Sequence, residues 1–535
     1  MKLFALLLAL VSLRAENWQK INAGPYEIYT SGDIKAAKNL LGTLEQMRGQ
    51  LSDLTGITEL KTIWPVRLVI AKTQRATNLT ETASAYSMLL SDAVMTTQQK
   101  RQILSLLLAT NAGPLEPGLE DALLTVLSSI ESERVRVTLG ALPPKAQQTP
   151  DWTLVEYLIT NDAYRGRIRV FLSNVMKGTD KPTALRNAFE KDEATLRKEA
   201  AEAKLAPVTY PARTILPDRD YRARDVDPEE ANLQLAIAQL SDPNLRARAC
   251  LATKNPECLA AAAALSGNAE QAAIEASQVT PPTARSLYLA AVGQPDRLKH
   301  QQNLFTSLQL KPLYPDAALA FASKENDPMK AFHALKTAAP AAPRDARYQM
   351  QLAKAAQAAE QYADEAKAWA AAERAAFDGP QKEALRQARL GAQDRRYEAE
   401  ALARKEAEEA RLRDIERVKQ ESLRRVREAE AKARGNLAPL DPGTKVEPWW
   451  DADQPTGTLS GSLTRVDCLS GGKARFVVRD ANGRLSFFEV DDPAKLILSG
   501  AGAKTFHFSC GIQRPARKIK AGHKDKKLIT MELLP

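Results

Sequence analysis

From Gln381 to Arg434 the chain has no proline and a single glycine, Gly391, and is dense in Glu, Arg, Ala and Lys. Opposite charges recur three or four residues apart, the spacing that supports a helix without tertiary help. Apolar residues thin to a narrow stripe of Leu412, Ile415, Val418, Leu423 and Val426. Such a segment predicts a long, solvated helix over 381–435 that works as a spacer. A coiled-coil contact through the stripe is the alternative, although the heptads are poor. Gly435-Asn436 reads as its stop, and Pro439, Pro442 and Pro448 mark a linker over 436–456.

With 535 residues and 44% hydrophobic content, the chain is expected to hold three or four domains with buried cores. Aromatic residues make up 6%, and alanine is plentiful after Leu205, which suits closely packed helices in the middle of the chain. Residues 16–205 read as an α+β unit. Pro25–Thr30 alternates like a strand, Ile34–Leu54 has helical spacing, and Pro65–Ala71 and Ser84–Leu90 read as further strands. The proline-punctuated stretch 206–228 is expected to be a linker, because Pro211 and Pro217 discourage regular structure.

Residues 229–380 are alanine-rich, with turns at Ser241-Asp242-Pro243, Pro281-Pro282 and Asn326-Asp327-Pro328. They read as a helical-hairpin array. Its clearest unit, Arg347–Ala376, resembles a tetratricopeptide repeat, with Leu352, Ala356, Tyr362, Ala366, Trp369 and Ala372 in small–large alternation. No regular 34-residue period accompanies it. Residues 457–535 turn to β character, with short strands and an Asp480-Ala481-Asn482-Gly483 hairpin turn. A small barrel of the SH3 or OB kind is the expected fold there. The fold class is therefore multidomain, with an α+β start, an all-α middle with a long helix, and an all-β end.

Lys2, the apolar run Leu3–Leu13 and Ala15 read as a secretory signal over 1–15. No cysteine precedes the mature start, so no lipid anchor is expected, and no later run is long enough to span a bilayer. The expected location is periplasmic or extracellular, in a bacterium. Export permits disulfides, and the four cysteines fall into local couples, Cys250 with Cys258 and Cys468 with Cys510. Local pairing is the simplest of three connectivities.

Trp18, Tyr26–Ser31, the helix with Met47-Arg48 and the strand Pro65–Ala71 resemble the opening of exported gluzincin-type metallopeptidase domains. Pro114–Ser128, Val137–Pro144, Asp151–Leu158, Gly178-Thr179-Asp180 and Ala184–Phe189 are similar to that family's later segments, in order. The resemblance covers about residues 17–205. It implies a peptidase-like fold whose zinc helix carries His-Glu-x-x-His, the histidines binding the metal and the glutamate activating its water. The residues falling there are Arg101, Gln102, Ile103, Leu104 and Ser105. Arg101 is a permanent cation, Gln102 accepts no proton, and Ser105 is a poor ligand. Asp121 falls at the third-ligand position and alone makes no site. No histidine precedes His300, so a slip in register cannot restore the motif. The expectation is a pseudo-metallopeptidase with no catalytic residues, metal or cofactor. The plain alternative for this stretch is an amphipathic helix burying Ile103, Leu104, Leu107 and Leu108, and a groove kept for a non-metal ligand beside Asp121 is a third.

Other motifs are weak. Gly471-Gly472-Lys473 lacks the strand–loop–helix setting of a phosphate loop and reads as a hairpin. Glu116 and Glu120 read as the acidic first turn of a helix, and His300, His333, His507 and His523 are scattered. The formal charge of +10 suits an anionic partner or mere solubility. Basic residues gather at Arg514, Arg517, Lys518, Lys520, Lys524, Lys526 and Lys527, near Phe506, His507 and Phe508, and Lys518, Lys520, Lys526 and Lys527 are expected to lie around a turn at Gly522.

Two functions compete. One is an exported, non-catalytic scaffold that takes protein partners through its helical repeats. The other is a binding module whose basic terminal barrel holds an anionic envelope polymer or lipid headgroups, nucleic acid being unexpected outside the cytoplasm. A hydrolase with a different site is a distant third.

Overall fold

The computed structural model describes residues 17–72, 74–133, 136–212, 221–435, 454–500, 507 and 509–534. The expected signal at 1–15, most of the 436–456 linker, and Phe506 and Phe508 lie outside them. The chain divides into two compact units, Met1–Arg413 and Asp414–Pro535, with the boundary inside the long helix.

The first unit opens on a hairpin of β1 (Trp18–Ala23) and β2 (Tyr26–Thr30), turning at Gly24, whose φ of +52° suits glycine. Helix α1 (Ile34–Thr55) connects β2 to β3 (Val66–Ile70), which lies parallel to it. Asp33 caps α1 by accepting from the Lys35 amide, and Gly56, at φ +76°, ends it in the left-handed region. Leu40, Leu41, Leu44, Met47 and Leu51 turn its apolar stripe onto the sheet. The short β4 (Thr80–Glu81) runs antiparallel to β5 (Tyr86–Leu90), which is parallel to β3.

Helices α2 (Thr97–Asn111) and α3 (Pro117–Ser128) follow, then β6 (Glu131–Ser132) and β7 (Arg136–Leu139). Next come α4 (Pro150–Thr160), α5 (Ile168–Met176), α6 (Lys181–Phe189) and α7 (Glu193–Glu202).

The stretch 206–228 is not merely a linker. It supplies β8 (Val208–Pro211), which joins β6 and β7, and β9 (Ala223–Val226), which pairs with β1. The six-stranded order is β4-β5-β3-β2-β1-β9, with β9 at one edge. Pro211 is tolerated because β8 is itself an edge strand, where a missing N–H costs no ladder bond.

Ten helices then pack in succession: α8 (Pro228–Gln239), α9 (Pro243–Ala249), α10 (Pro256–Leu265), α11 (Ala269–Ala276), α12 (Ala284–Val292), α13 (Arg297–Leu310), α14 (Pro315–Lys324), α15 (Pro328–Ala338), α16 (Ala346–Ala358) and α17 (Tyr362–Ala375). Asp or Asn caps most of their N-termini, often with proline in the first turn, so the turn prolines start helices as well as ending them. The array shares its core with the α/β part. Leu304, Tyr314, Ala317 and Phe321 belong to the same buried cluster as Leu68 and Leu104.

The long helix α18 (Gly379–Gly435) begins as part of this array. Leu385 and Ala392 are buried against it, and Arg395 pairs with Glu365, which is wholly buried. From Ala401 onward every described side chain is exposed, the stripe from Leu412 to Val426 included.

The second unit carries β10 (Gly457–Cys468), β11 (Ala474–Arg479), β12 (Leu485–Val490), β13 (Ile497–Gly500), β14 (Gly511–Lys524) and β15 (Lys527–Leu533). They form one sheet ordered β12-β11-β10-β14-β15-β13, with one further parallel bridge, Glu489 opposite Lys527. Phe476, Val478, Phe488 and Leu528 lie in its core. Asp480 accepts from the Asn482 and Arg484 amides and fixes the β11–β12 turn, with Gly483 at φ +80°. Gly471 and Gly472, at φ +77° and +76°, turn β10 into β11.

Candidate functional site

Helix α2 forms where expected because Thr96 and Gln99 make a reciprocal capping box at its start. Ile103, Leu104, Leu107 and Leu108 then point into the core and are fully buried. This orientation leaves Arg101, Gln102 and Ser105 on the opposite side. Glu116 and Pro117 open α3, which carries Asp121 alongside.

Arg101 and Asp121 come together. The guanidinium forms an ion pair with the Asp121 carboxylate, and Nη1 donates to Thr125 Oγ1 at 2.8 Å and to the Asp121 carbonyl at 3.3 Å. Gln102 serves a different purpose. Its Nε2 donates to Asn78 Oδ1 at 2.8 Å while its Oε1 accepts from the Leu79 amide at 2.9 Å, so it pins the approach to β4 against α2. Ser105 lines a cleft of about 470 Å³ with Arg101, Gln98, Gln102, Glu81 and Tyr86. The cleft lies on the β4 side of α2, and Asp121 is not among its walls.

Glu81 is the carboxylate of this cleft. Burial raises its pKa, and Arg285, whose Nη1 sits 2.8 Å away, offsets part of the rise. Arg285 also donates to the Tyr314 hydroxyl at 2.5 Å. The Tyr314 ring packs edge-on against Trp64 at 5.1 Å and Tyr288 at 5.2 Å. The cleft wall is thus clamped to the helical array. Amides, two hydroxyl-bearing side chains and a guanidinium line the cleft; these groups bind and orient, and its carboxylate is held by a cation.

Glu120, expected simply to charge a helix start, accepts from Arg344 at 2.6 Å, and Arg344 also donates to the Ala112 carbonyl at 3.0 Å. Glu156 on α4 is fully buried, and neither carboxylate oxygen has a hydrogen-bond partner among the described residues. Its pKa is pushed up to about 7 by burial. Sequence reasoning missed Glu81, Glu156 and Arg285, since a lone charged residue in a short strand or on a helix carries no signal of burial.

The histidines serve locally. His300 Nδ1 meets the Ala291 carbonyl at 2.8 Å, His333 lies beside the Phe332 ring, and His523 packs on Phe488. Among the described residues no group of three or more His, Cys, Asp or Glu side chains is placed to hold a metal ion. The cysteines pair as expected, Cys250 with Cys258 and Cys468 with Cys510, at Cα separations of 5.5 and 5.6 Å. Disulfides belong to an oxidising compartment. No helix among the described residues is long and apolar enough to cross a membrane.

The basic residues of the second unit do not gather around a turn at Gly522. Gly522 is buried within β14 opposite Thr458 and Thr530, where a side chain would strike Thr530 and Pro455. The turn is Asp525-Lys526, with Asp525 at φ +54°. Lys518 and Lys520 project from the exposed face of β14, opposite Ser462 and Ser460 of β10. Lys527 instead joins Lys473 on Asp491, each at 2.8 Å, and holds that carboxyl down to about 2. Arg514 and Arg517 are exposed further back along β14, and Lys524 and Lys526 flank its turn end.

No protein-family model matches this chain, and no curated protein sequence matches it.

Proposed function

We propose that the protein is an exported, non-catalytic scaffold, built from a gluzincin-like domain without its zinc site and an array of tetratricopeptide-like helical pairs. The observation that carries this is the Arg101–Asp121 ion pair, with Gln102 spent on Asn78 and Leu79. On that reading, the Arg101 guanidinium stands where the resembled family would hold its metal. The shared core and the Glu81–Arg285 and Glu120–Arg344 pairs make the two parts one rigid platform for partners.

The test is R101H/Q102E/S105H, which writes His-Glu-x-x-His onto α2 opposite Asp121. Elemental analysis should find no stoichiometric zinc in the wild type and about one zinc per chain in the variant. A folded variant that takes up no zinc removes the peptidase-like ancestry. Zinc and peptide hydrolysis in the wild type would overturn the non-catalytic assignment.

A second function rests on Lys518 and Lys520 beside the small serines of β10, an open cationic strip on a polar sheet face. It suits an anionic envelope polymer or lipid headgroups. The single β12–β15 bridge supports closure of that sheet into a small barrel. Charge reversal at both lysines should abolish salt-sensitive envelope association in a pull-down; retained association assigns the contact to the helical array.

A further inference from the structure

A second concavity, of about 450 Å³, opens where four segments of the first unit meet: the α2–α3 loop, the α5–α6 loop, the end of α17 and the start of α18. Its wall is rich in cations. Two of them are already matched, Lys181 by Glu193 at 2.8 Å and Arg389 by Glu373 at 2.5 Å. Asp180 is matched too, since its carboxylate caps α6 by accepting from the Thr183 amide at 2.9 Å. Lys177, Arg374 and Lys382 line the same pocket and form no ion pair among the described residues. Against them stands, among the described residues, one uncommitted carboxylate, Glu116. The surplus is therefore positive and comes from three separate elements.

Arg374 is the informative member. Burial lowers its pKa, although Glu373 beside it works the other way, so its charge is held in a place that disfavours it. It is positioned by Gly178, at φ +94°, where a Cβ would stand 2.5 Å from Arg374 Cδ. Only glycine lets the arginine stem lie across that loop. Thr179 adds a hydroxyl and the half-exposed Phe377 an apolar side wall. A fork-shaped guanidinium flanked by two ammonium groups suits a compact, multiply charged oxyanion. The volume falls within the range of small-ligand sites.

We propose that this pocket binds a phosphate-type oxyanion, carried by a small molecule or displayed as a lipid headgroup, with Arg374 as its central contact and Lys177 and Lys382 as flanking charges. Neither Arg101 nor Asp121 lines this pocket, so the proposal does not rest on that ion pair.

Two probes distinguish the sources: inorganic pyrophosphate in titration calorimetry at constant ionic strength, and sedimentation with phosphatidylglycerol vesicles. Pyrophosphate should bind the full chain above a sodium chloride control, with affinity lowered at least ten-fold in R374Q. Because R374Q could disturb packing over Gly178, K177Q/K382Q, at two exposed positions, should give a loss of the same order in a protein with unchanged melting. Vesicle binding lost in both variants, without pyrophosphate binding, would assign the site to a headgroup. Absence of both, or unchanged binding in the K177Q/K382Q variant, overturns the proposal.

Discussion

Arg101 on α2 and Asp121 on α3 neutralise one another across the two helices, and Thr125 one turn further along α3 takes a second donor of the same guanidinium. Both side chains remain partly exposed, so water and salt screen the pair. Arg101→Ala should therefore cost no more than about 1 kcal/mol in denaturant unfolding. A much larger loss would mean that the pair holds the two helices together.

The two disulfides should differ in worth. The Cys250–Cys258 pair spans 8 residues and the Cys468–Cys510 pair spans 42. Loop entropy in the unfolded chain assigns about 2.5 kcal/mol to the first and about 4 kcal/mol to the second. C468S/C510S should lower the melting of the β-sheet unit more than C250S/C258S lowers that of the helical array. Calorimetry of the two variants checks the order.

Glu156 should make stability depend on pH. Its pKa is raised to about 7 from an ordinary 4.5, and burial is the cause. The folded state thus holds this proton more tightly than the unfolded chain does. That contribution is complete below about pH 4.5 and is lost as pH rises through 7, on the order of 3 kcal/mol in total. Glu156→Gln should become relatively more stable than wild type between pH 5 and 8.5. Parallel stability curves for the two proteins would contradict this.

The Glu81–Arg285 pair should be the costliest ion pair to break from one side. Arg285 is largely buried, and its loss leaves Glu81 and the Tyr314 hydroxyl without their cation. Arg285→Ala should destabilise the first unit by about 3 kcal/mol. A chain cut after residue 228 should fail to fold alone, because Trp64 and the core around Leu104 would lose Tyr314, Leu304 and Phe321. A soluble, cooperatively melting 17–228 fragment would contradict the shared core.

Much of the secondary structure was legible. The β2, β3 and β5 strands, α1, the apolar face of α2, the long helix and the strand pattern after Gly457 follow from periodicity and turn residues. The linker expectation failed because β8 and β9 are only four residues each, and their pairing partners lie about 70 and 200 positions earlier. Strand propensity over four residues is too weak to register without those partners. Gly522 was misplaced for a similar reason: glycine marks a close approach of other atoms as readily as it marks a turn.

The sequence by itself determined local order and local chemistry: where helices start, which residues turn, which cysteines lie close enough to pair, and that no histidine precedes His300. These depend on neighbours a few residues apart. Only the tertiary structure decided that Arg101 neutralises Asp121, that Arg285 clamps Glu81, that Glu156 is buried, and that Lys177, Arg374 and Lys382 share one pocket. Each of those depends on distance through space and on the dielectric a side chain ends up in, and neither is set until remote segments pack.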